Sequence, residues 1–168
     1  QRQMCIRDRH HLALRPGTNV AVLNMMAHYI IEEGLVDQEF VASRCEGYTE
    51  FEREIRALDI SRMEKASGIS RDLVREAAIA YATAPNAMCF HGLGVTEHSQ
   101  GTRTVTLIAA LAMMTGNVGR EGVGVNPLRG QNNVHGAADM RAQPHQSAAY
   151  LDVTNPDPHD HYAEAYAT

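Results

Sequence analysis

The sequence predicts a helix-rich α/β fold, and three observations support this. Helical periodicity dominates the first half of the chain, a short apolar run of strand type follows, and an apolar helix comes directly after that run. This order of elements is that of one side of an α/β sandwich, in which helices cover a sheet. With 168 residues, the chain is long enough for one domain with its own core.

The segments before residue 85 are predicted to be helical. "PGTNVAVLNMMAHYIIEEGL" has apolar residues near helical spacing, with Thr18 or Asn19 as N-cap and Gly34 as C-cap. Asp37 caps "DQEFVASRCEG", which ends just before Gly47. "YTEFEREIRAL" places apolar residues on one face and Glu–Arg pairs on the other.

Two further helical segments and one strand follow. "SRMEKASG" is predicted to be a brief helical turn, and Ser70 caps a helix in "SRDLVREAAIAYATA" that stops before Pro85. "NAMCFHGLG" predicts one buried parallel strand over residues 86–91. "SQGTRTVTLIAALAMMTG" predicts a helix that begins within residues 98–103 and ends near Gly116, buried on several sides because it is apolar nearly all round.

Composition and charge exclude several classes of function. The net charge of -5 gives no electrostatic reason to expect a nucleic acid or an anionic membrane as partner, and no apolar run is long enough for a membrane span. Cys5, Cys45 and Cys89 form no CxxC pair, which excludes a zinc ribbon or an iron–sulfur cluster held by this chain alone. We predict no metal ligands, an inert buried thiol at Cys89, and a core role for the methionines Met25, Met26, Met113 and Met114.

The two ends of the chain differ from its middle. Residues 1–9, "QRQMCIRDR", resemble a translated adapter tail and are expected to be non-native. Residues 10–142 are expected to form the α/β domain, and residues 143–168 an irregular connecting tail with a final turn at "DHYAEAY". The part after residue 9 reads as the middle of a longer protein.

A glycine loop follows the predicted strand. "HGLGVTEHSQGT" gives Gly92-x-Gly94 between strand and helix, but Glu97 replaces the third glycine of a dinucleotide fingerprint. A plain tight turn is one interpretation. The other is a ligand site, because a backbone without Cβ allows close approach and N–H groups at a helix start favour phosphate.

A second loop carries planar polar groups. "RGQNNVHG" places Arg129, Gln131 and Asn133 close together, which indicates either a surface turn or a ligand with many donors and acceptors. In α/β sheets a ligand binds beyond the carboxyl ends of strands. Residues 92–97 and residues 129–136 are therefore expected to approach each other and form one site.

Three segments carry a family resemblance. "NMMAHYIIEEGLVDQEFVASRCEGY", "FHGLGVTEHSQGT" and "LAMMTGNVGREGVGVNPLRGQNNVHGAADM" together resemble the large catalytic subunits of molybdenum- or tungsten-dependent formate dehydrogenases, in the molybdopterin oxidoreductase superfamily. The likeness runs from about residue 12 to residue 166. It implies a fragment of a Rossmann-like three-layer sandwich that binds molybdopterin guanine dinucleotide, two copies of which hold the metal.

The resemblance also implies roles for individual residues. Arg129 matches the arginine that orients formate beside the metal and is the predicted catalytic residue. His135 and Arg141 stand where the resemblance leads us to expect glutamine and glycine. The metal ligand (Cys or selenocysteine), its adjacent His and the iron–sulfur cysteines are expected upstream of this chain. The predicted cofactor-binding residues are Gly92, Leu93, Gly94, Thr96, Glu97, Gln131 and Asn133.

The resemblance implies oxidation of formate to CO2, with two electrons passed to an iron–sulfur cluster of the full-length protein. The implied partners are formate, the rest of the catalytic subunit, and iron–sulfur or NAD-linked electron-transfer subunits. "TEHSQGT" is similar to soluble NAD-linked types and favours the cytoplasm, with a periplasmic form as the alternative. Two other functions stay open: a nitrate or other oxyanion reductase of the same superfamily, and a nucleotide-binding module without catalysis.

Overall fold

The computed structural model describes residues 9–140 and, beyond them, residues 144–145, 152, 154, 160 and 163–164. The chain divides into two compact units, Gln1–Leu128 and Arg129–Thr168. The expected adapter tail, Arg141 and most of the final turn lie outside the described residues. In chain order, the elements are α1 (Asn19–Glu32), α2 (Gln38–Arg44), α3 (Tyr48–Arg56), α4 (Ile60–Ser67), α5 (Arg71–Thr83), β1 (Met88–His91), α6 (Leu93–Thr96), α7 (Gly101–Met114), β2 (Gly124–Pro127) and α8 (Val134–Asp139).

The two ends of α1 follow from local chemistry. Thr18 is the N-cap, as predicted, although its hydroxyl donates to the Arg15 carbonyl at 2.6 Å and makes no side-chain cap. The C-cap is Glu33, one residue before Gly34, which was the predicted C-cap. Gly34 adopts φ +67, and the Leu35 N–H donates to the Ile30 carbonyl at 3.0 Å. These bonds close the helix end and direct the chain toward α2.

Side-chain caps begin the next helices. The Asp37 carboxylate accepts from the Phe40 N–H at 2.9 Å, and the Ser70 hydroxyl accepts from the Asp72 N–H at 3.2 Å, as predicted. The segment predicted to be a brief helical turn is helical, but it is longer than predicted and forms the eight-residue helix α4. Asp59 caps it by accepting from the Arg62 N–H at 3.0 Å, which gives the helix a proper start.

One ion pair joins α4 to α5. Glu64 accepts from the backbone N–H of Arg71 at 2.9 Å and from its side-chain Nε at 2.8 Å. The same guanidinium donates to the Ser61 hydroxyl at 3.0 Å. Because Arg71 is the first residue of α5, Glu64 binds one of the N–H groups that a helix start leaves without a partner in the helix.

The core of the first unit lies around α1, which packs against α3, α4, α5 and α7. Met25, Ile30, Val74 and Met114 are almost completely buried in it. The prediction that all four singled-out methionines fill the core is wrong for Met113, which is 39% exposed. Met113 follows Ala112 on α7, and one helical step turns its side chain away from the core.

A two-stranded parallel sheet completes the first unit. β1 pairs with β2 in a register that runs from Met88–Gly124 to His91–Pro127. The predicted parallel strand is confirmed but begins at Met88, and the prediction that it is buried is wrong, because Met88 and Phe90 are 44% and 59% exposed. β2 was not predicted, since its residues lie in a segment whose many glycines favour a loop.

Asn117 ties the start of β1 to the turn after α7. Its buried side chain accepts from the Ala87 N–H at 3.1 Å and from the Arg120 guanidinium at 3.0 Å. Its amide donates to the Thr115 hydroxyl at 2.8 Å. Arg120 also contacts the Asn86 side chain. The glycine-rich "TGNVGR" segment is therefore fixed by one buried amide.

Candidate functional site

The loop after β1 contains a single helical turn. Gly92 is its N-cap, in extended conformation, and its carbonyl accepts from the Val95 N–H at 3.0 Å. The Glu97 N–H donates to the Leu93 carbonyl at 2.9 Å. The predicted loop over residues 92–97 thus contains one helical turn, Leu93–Thr96, which was not predicted. The long helix α7 begins at Gly101, within the predicted range.

The glycines of this loop differ in what surrounds them. A Cβ added at Gly94 would meet nothing within 4 Å, and one added at Gly92 would lie 3.5 Å from the Leu128 carbonyl oxygen. Packing among the described residues therefore does not require glycine at position 94. Leu93, Gly94 and Glu97 are exposed, whereas Gly92 and Thr96 are partly buried. An open, side-chain-free surface of this kind fits close approach of a ligand.

His91 is a polar residue at the end of β1 that the sequence analysis did not single out. It is 7% exposed, and its Nδ1 has no hydrogen-bond partner within the described part of the chain. Its carbonyl accepts from the Leu128 N–H at 2.6 Å, which joins the carboxyl ends of the two strands. The signal in the sequence was the position of a histidine directly before the first glycine of the loop.

The second polar segment opens the unit of residues 129–168. Arg129, Gln131 and Asn133 are all exposed. Asn133 adopts the left-handed conformation (φ 54), and its carbonyl accepts from the Ala137 N–H at 2.9 Å to begin α8. The helix α8 was not predicted. Asn133 thus serves as a cap through its backbone, and its side chain makes no cap bond.

Arg129 makes one defined contact in this segment. Its Nε donates to Nε2 of His135 at 2.9 Å. Since a guanidinium only donates, Nε2 of the imidazole is the acceptor in this bond. Among the described residues, the two terminal nitrogens of Arg129 have no partner. Within the described residues, the edge formed by the two terminal nitrogens is thus one of the two guanidinium edges that can bind a carboxylate bidentately.

The two polar segments belong to different units of the chain. The expectation that residues 92–97 and residues 129–136 form one site stays a prediction. The described residues contain no group of three or more His, Cys, Asp or Glu side chains that could hold a metal ion. Cys89 is only partly buried, and burial raises the pKa of its thiol, which disfavours the reactive thiolate.

Comparison with known proteins places the chain in a family. The family model described as molybdopterin oxidoreductase matches residues 3–162. The chain belongs to the molybdopterin oxidoreductase family. The resemblance inferred from the three quoted segments is thereby confirmed at the level of the family. No helix among the described residues of this family member is long and apolar enough to cross a membrane.

Two relatives in this family are formate dehydrogenases by name. The chain is 45% identical over 156 residues to formate dehydrogenase H of Escherichia coli (strain K12), covering 93% of this chain and 22% of that protein. It is 44% identical over 158 residues to the F420-dependent formate dehydrogenase 1 subunit alpha of Methanococcus maripaludis, covering 94% of this chain and 23% of that protein. The chain thus spans less than a quarter of the length of these relatives.

A solved structure shares the fold. Acetylene hydratase from Pelobacter acetylenicus superposes with a TM-score of 0.68 at 22% sequence identity, over 71% of this chain and 16% of that chain. At this identity the likeness concerns the fold alone. It agrees with the helix-rich α/β architecture and small parallel sheet described above.

Proposed function

We propose that this chain is part of the catalytic subunit of a molybdenum- or tungsten-dependent formate dehydrogenase, which oxidises formate to CO2 and passes two electrons to an iron–sulfur cluster. The observation that carries the proposal is 43–45% identity, over most of this chain, to proteins named as formate dehydrogenases. We propose formate as the substrate, with the metal ligands supplied by the rest of the catalytic subunit.

Within that subunit, we propose that residues 10–142 are one part of a Rossmann-like three-layer sandwich. β1 and β2 are parallel, and parallel sheets are normally covered by helices on both faces. Met88 and Phe90 alternate along β1 and are exposed, which supports a second covering layer formed by residues other than those described.

We propose that the two polar segments bind a molybdopterin guanine dinucleotide. Gly94 leaves its surface open, and the amides of Gln131 and Asn133 are exposed donors and acceptors of the kind that a pterin edge requires. When bound, the group supplies a redox-active metal that accepts the electrons of formate. The residues that we propose to line it are Gly92, Leu93, Gly94, Thr96, Glu97, Gln131 and Asn133.

Arg129 is the proposed catalytic residue. Formate is a carboxylate, and a guanidinium offers two parallel N–H donors in the plane that a carboxylate accepts. The terminal nitrogens of Arg129 have no partner among the described residues, so both can bind the substrate. Held in this way, formate keeps one orientation for its C–H bond, which is a contribution from positioning.

Replacement of Arg129 tests this role in the full-length enzyme. Arg129→Lys keeps the charge and loses the planar pair of donors, so one charge-assisted hydrogen bond worth about 1.5–3 kcal/mol is lost. This corresponds to a fall of roughly 10- to 150-fold in kcat/KM for formate, and Arg129→Ala should cost more. Metal content should be unchanged in both variants. Arg62→Ala, at an exposed arginine on α4, is the matched control and should keep wild-type kinetics.

A purely structural role for Arg129 gives a different result. If Arg129 only fixes its own segment, Arg129→Ala lowers thermal stability and cofactor loading together. If Arg129→Ala keeps the wild-type kcat/KM per metal ion, Arg129 does not bind formate in the proposed way. Assaying the same preparations with nitrate and reduced dye tests the oxyanion-reductase alternative.

We also propose further subunits and a location. The Methanococcus relative is named a subunit alpha, which supports electron-transfer subunits as partners, of iron–sulfur or NAD-linked type. The proposal of a cytoplasmic enzyme depends on the motif "TEHSQGT". Co-purification of the full-length protein from a cell fraction of known origin tests both proposals.

A further inference from the structure

We propose that His135 is a positioning residue that holds the Arg129 guanidinium in its formate-binding orientation only while the imidazole is neutral. Protonation of His135 would then release Arg129 and make formate oxidation less efficient in acid. The inference rests on the proposed role of Arg129 in binding formate.

The geometry of the contact determines which edge of Arg129 is presented. The bond to His135 uses Nε, the nitrogen on the side edge of the guanidinium, at 2.9 Å. A carboxylate can bind either the pair of terminal nitrogens or the pair that includes Nε. With Nε occupied, the terminal pair is the one left for a substrate. His135 therefore selects one of two binding edges.

The backbone brings the two side chains together. His135 is the second residue of α8, and Asn133 at the helix start adopts the left-handed conformation. Gly136 lies so close to the Asn133 side chain that an added Cβ would overlap it. The contact thus spans a compact turn. Both partners belong to the same unit of the chain.

Protonation removes the contact for two reasons. The imidazolium carries an N–H where the neutral ring offers a lone pair, so two donors face each other. It also places a second positive charge beside the guanidinium. Imidazole side chains change charge between about pH 5 and pH 8, so the change falls within the working range of an enzyme.

Two charged groups of the described residues lie near the imidazole in the chain. Arg129, from the preceding segment, contacts Nε2. Asp139 is four residues further along α8, the spacing at which side chains of one helix are neighbours.

The experiment is a pH profile of kcat/KM for formate in the full-length enzyme. Glutamine at position 135 offers an acceptor at every pH, and lysine imitates a permanently protonated ring. We expect wild type to lose roughly 2- to 12-fold in kcat/KM below pH 6, relative to His135→Gln, the range of one hydrogen bond of ordinary strength. His135→Lys should be low at every pH. Metal content should match in all variants, and His11→Gln, at an exposed histidine, should keep the wild-type profile.

A second measurement, the rate of chemical modification of His135, does not depend on the activity of the enzyme. Diethylpyrocarbonate modifies neutral imidazole nitrogens, and mass spectrometry gives the rate for each histidine. At about pH 8, where imidazole is mostly neutral, His135 should react faster in Arg129→Ala than in wild type, because Nε2 no longer accepts a hydrogen bond. Equal rates would mean that the contact does not exist in solution.

The outcomes separate the two proposals. If Arg129→Ala keeps wild-type kcat/KM, the proposed binding of formate by Arg129 is itself refuted. If Arg129→Ala is impaired while His135→Gln and wild type have the same pH profile, only the role of His135 is refuted.

Discussion

Gly101 lies where the single turn α6 meets the long helix α7. A Cβ at this position would overlap the carbonyl oxygen of Thr96 and lie 2.9 Å from its carbonyl carbon. These are backbone atoms, which cannot move aside as the end of a flexible side chain can. The absence of a side chain at Gly101 is therefore what allows the chain to turn so tightly into α7.

We predict that Gly101→Ala destabilises the chain by about 1–3 kcal/mol, the range found for overpacked sites. Gly94→Ala is the matched control, because its added Cβ meets nothing within 4 Å. It should leave the free energy of unfolding nearly unchanged and, in the full-length enzyme, reduce dinucleotide content if the loop contacts that group. Denaturant unfolding measures the first effect. Equal stability of Gly101→Ala and wild type would contradict the tight contact.

Single residues were predicted well where the cause is local. Asp37 and Ser70 were predicted to be caps because a cap depends only on the next few residues. The exposure of Met113 was not predicted, since it depends on which neighbours cover each side of α7. The contact between Arg129 and His135 also escaped prediction, because His135 belongs to a helix that was not predicted.

At the scale of elements, Glu64 on α4 connects this helix to α5 through its hydrogen bonds with Arg71. Its hydrogen bonds from the Arg71 side chain, and then from the Arg71 backbone, hold the pKa of the Glu64 carboxyl below its ordinary value. A carboxyl whose pKa is lower in the folded state contributes stability above its unfolded pKa. That contribution is lost as the pH falls through the folded value.

We predict that Glu64→Gln lowers the Tm at neutral pH by less than Gly101→Ala does, since the pair is partly exposed. The difference from wild type should shrink as the pH falls below about 4, where the wild-type carboxyl also becomes neutral. Glu52→Gln is the control, because Glu52 pairs with Arg56 within one helix and joins no two elements. A difference in Tm that stays constant from neutral pH to strongly acidic pH would contradict this account.

Some helices and strands were predicted correctly and others were missed. The long helices were predicted because each has its own periodicity and its own signals at the ends. β2 was not, because its partner lies about 36 residues earlier in the chain, at the Met88–Gly124 register, and parallel pairing gives no local signal. The helices α6 and α8 within the two polar segments were not predicted. The ligand-binding role of these segments stays a prediction.

At the scale of the whole molecule, we predict that residues 10–168 expressed alone neither oxidise formate nor retain metal. The described residues hold no cluster of metal ligands, and soft ligands are what molybdenum or tungsten sites of this kind require. Elemental analysis of the purified chain, with a dye-linked formate assay, is the measurement. Stoichiometric molybdenum or tungsten would show that the chain holds the metal without the rest of the subunit.

The position of the buried Asn117 amide separates a structural contact from the loop that is proposed to bind the ligand. It anchors the amino-terminal end of β1, whereas Gly92–Glu97 begins at the opposite end of the same strand. The Asn117 contact and the proposed ligand-binding loop thus lie at opposite ends of one strand. We therefore expect substitutions in this loop to alter ligand preference while the Asn117 contact is kept.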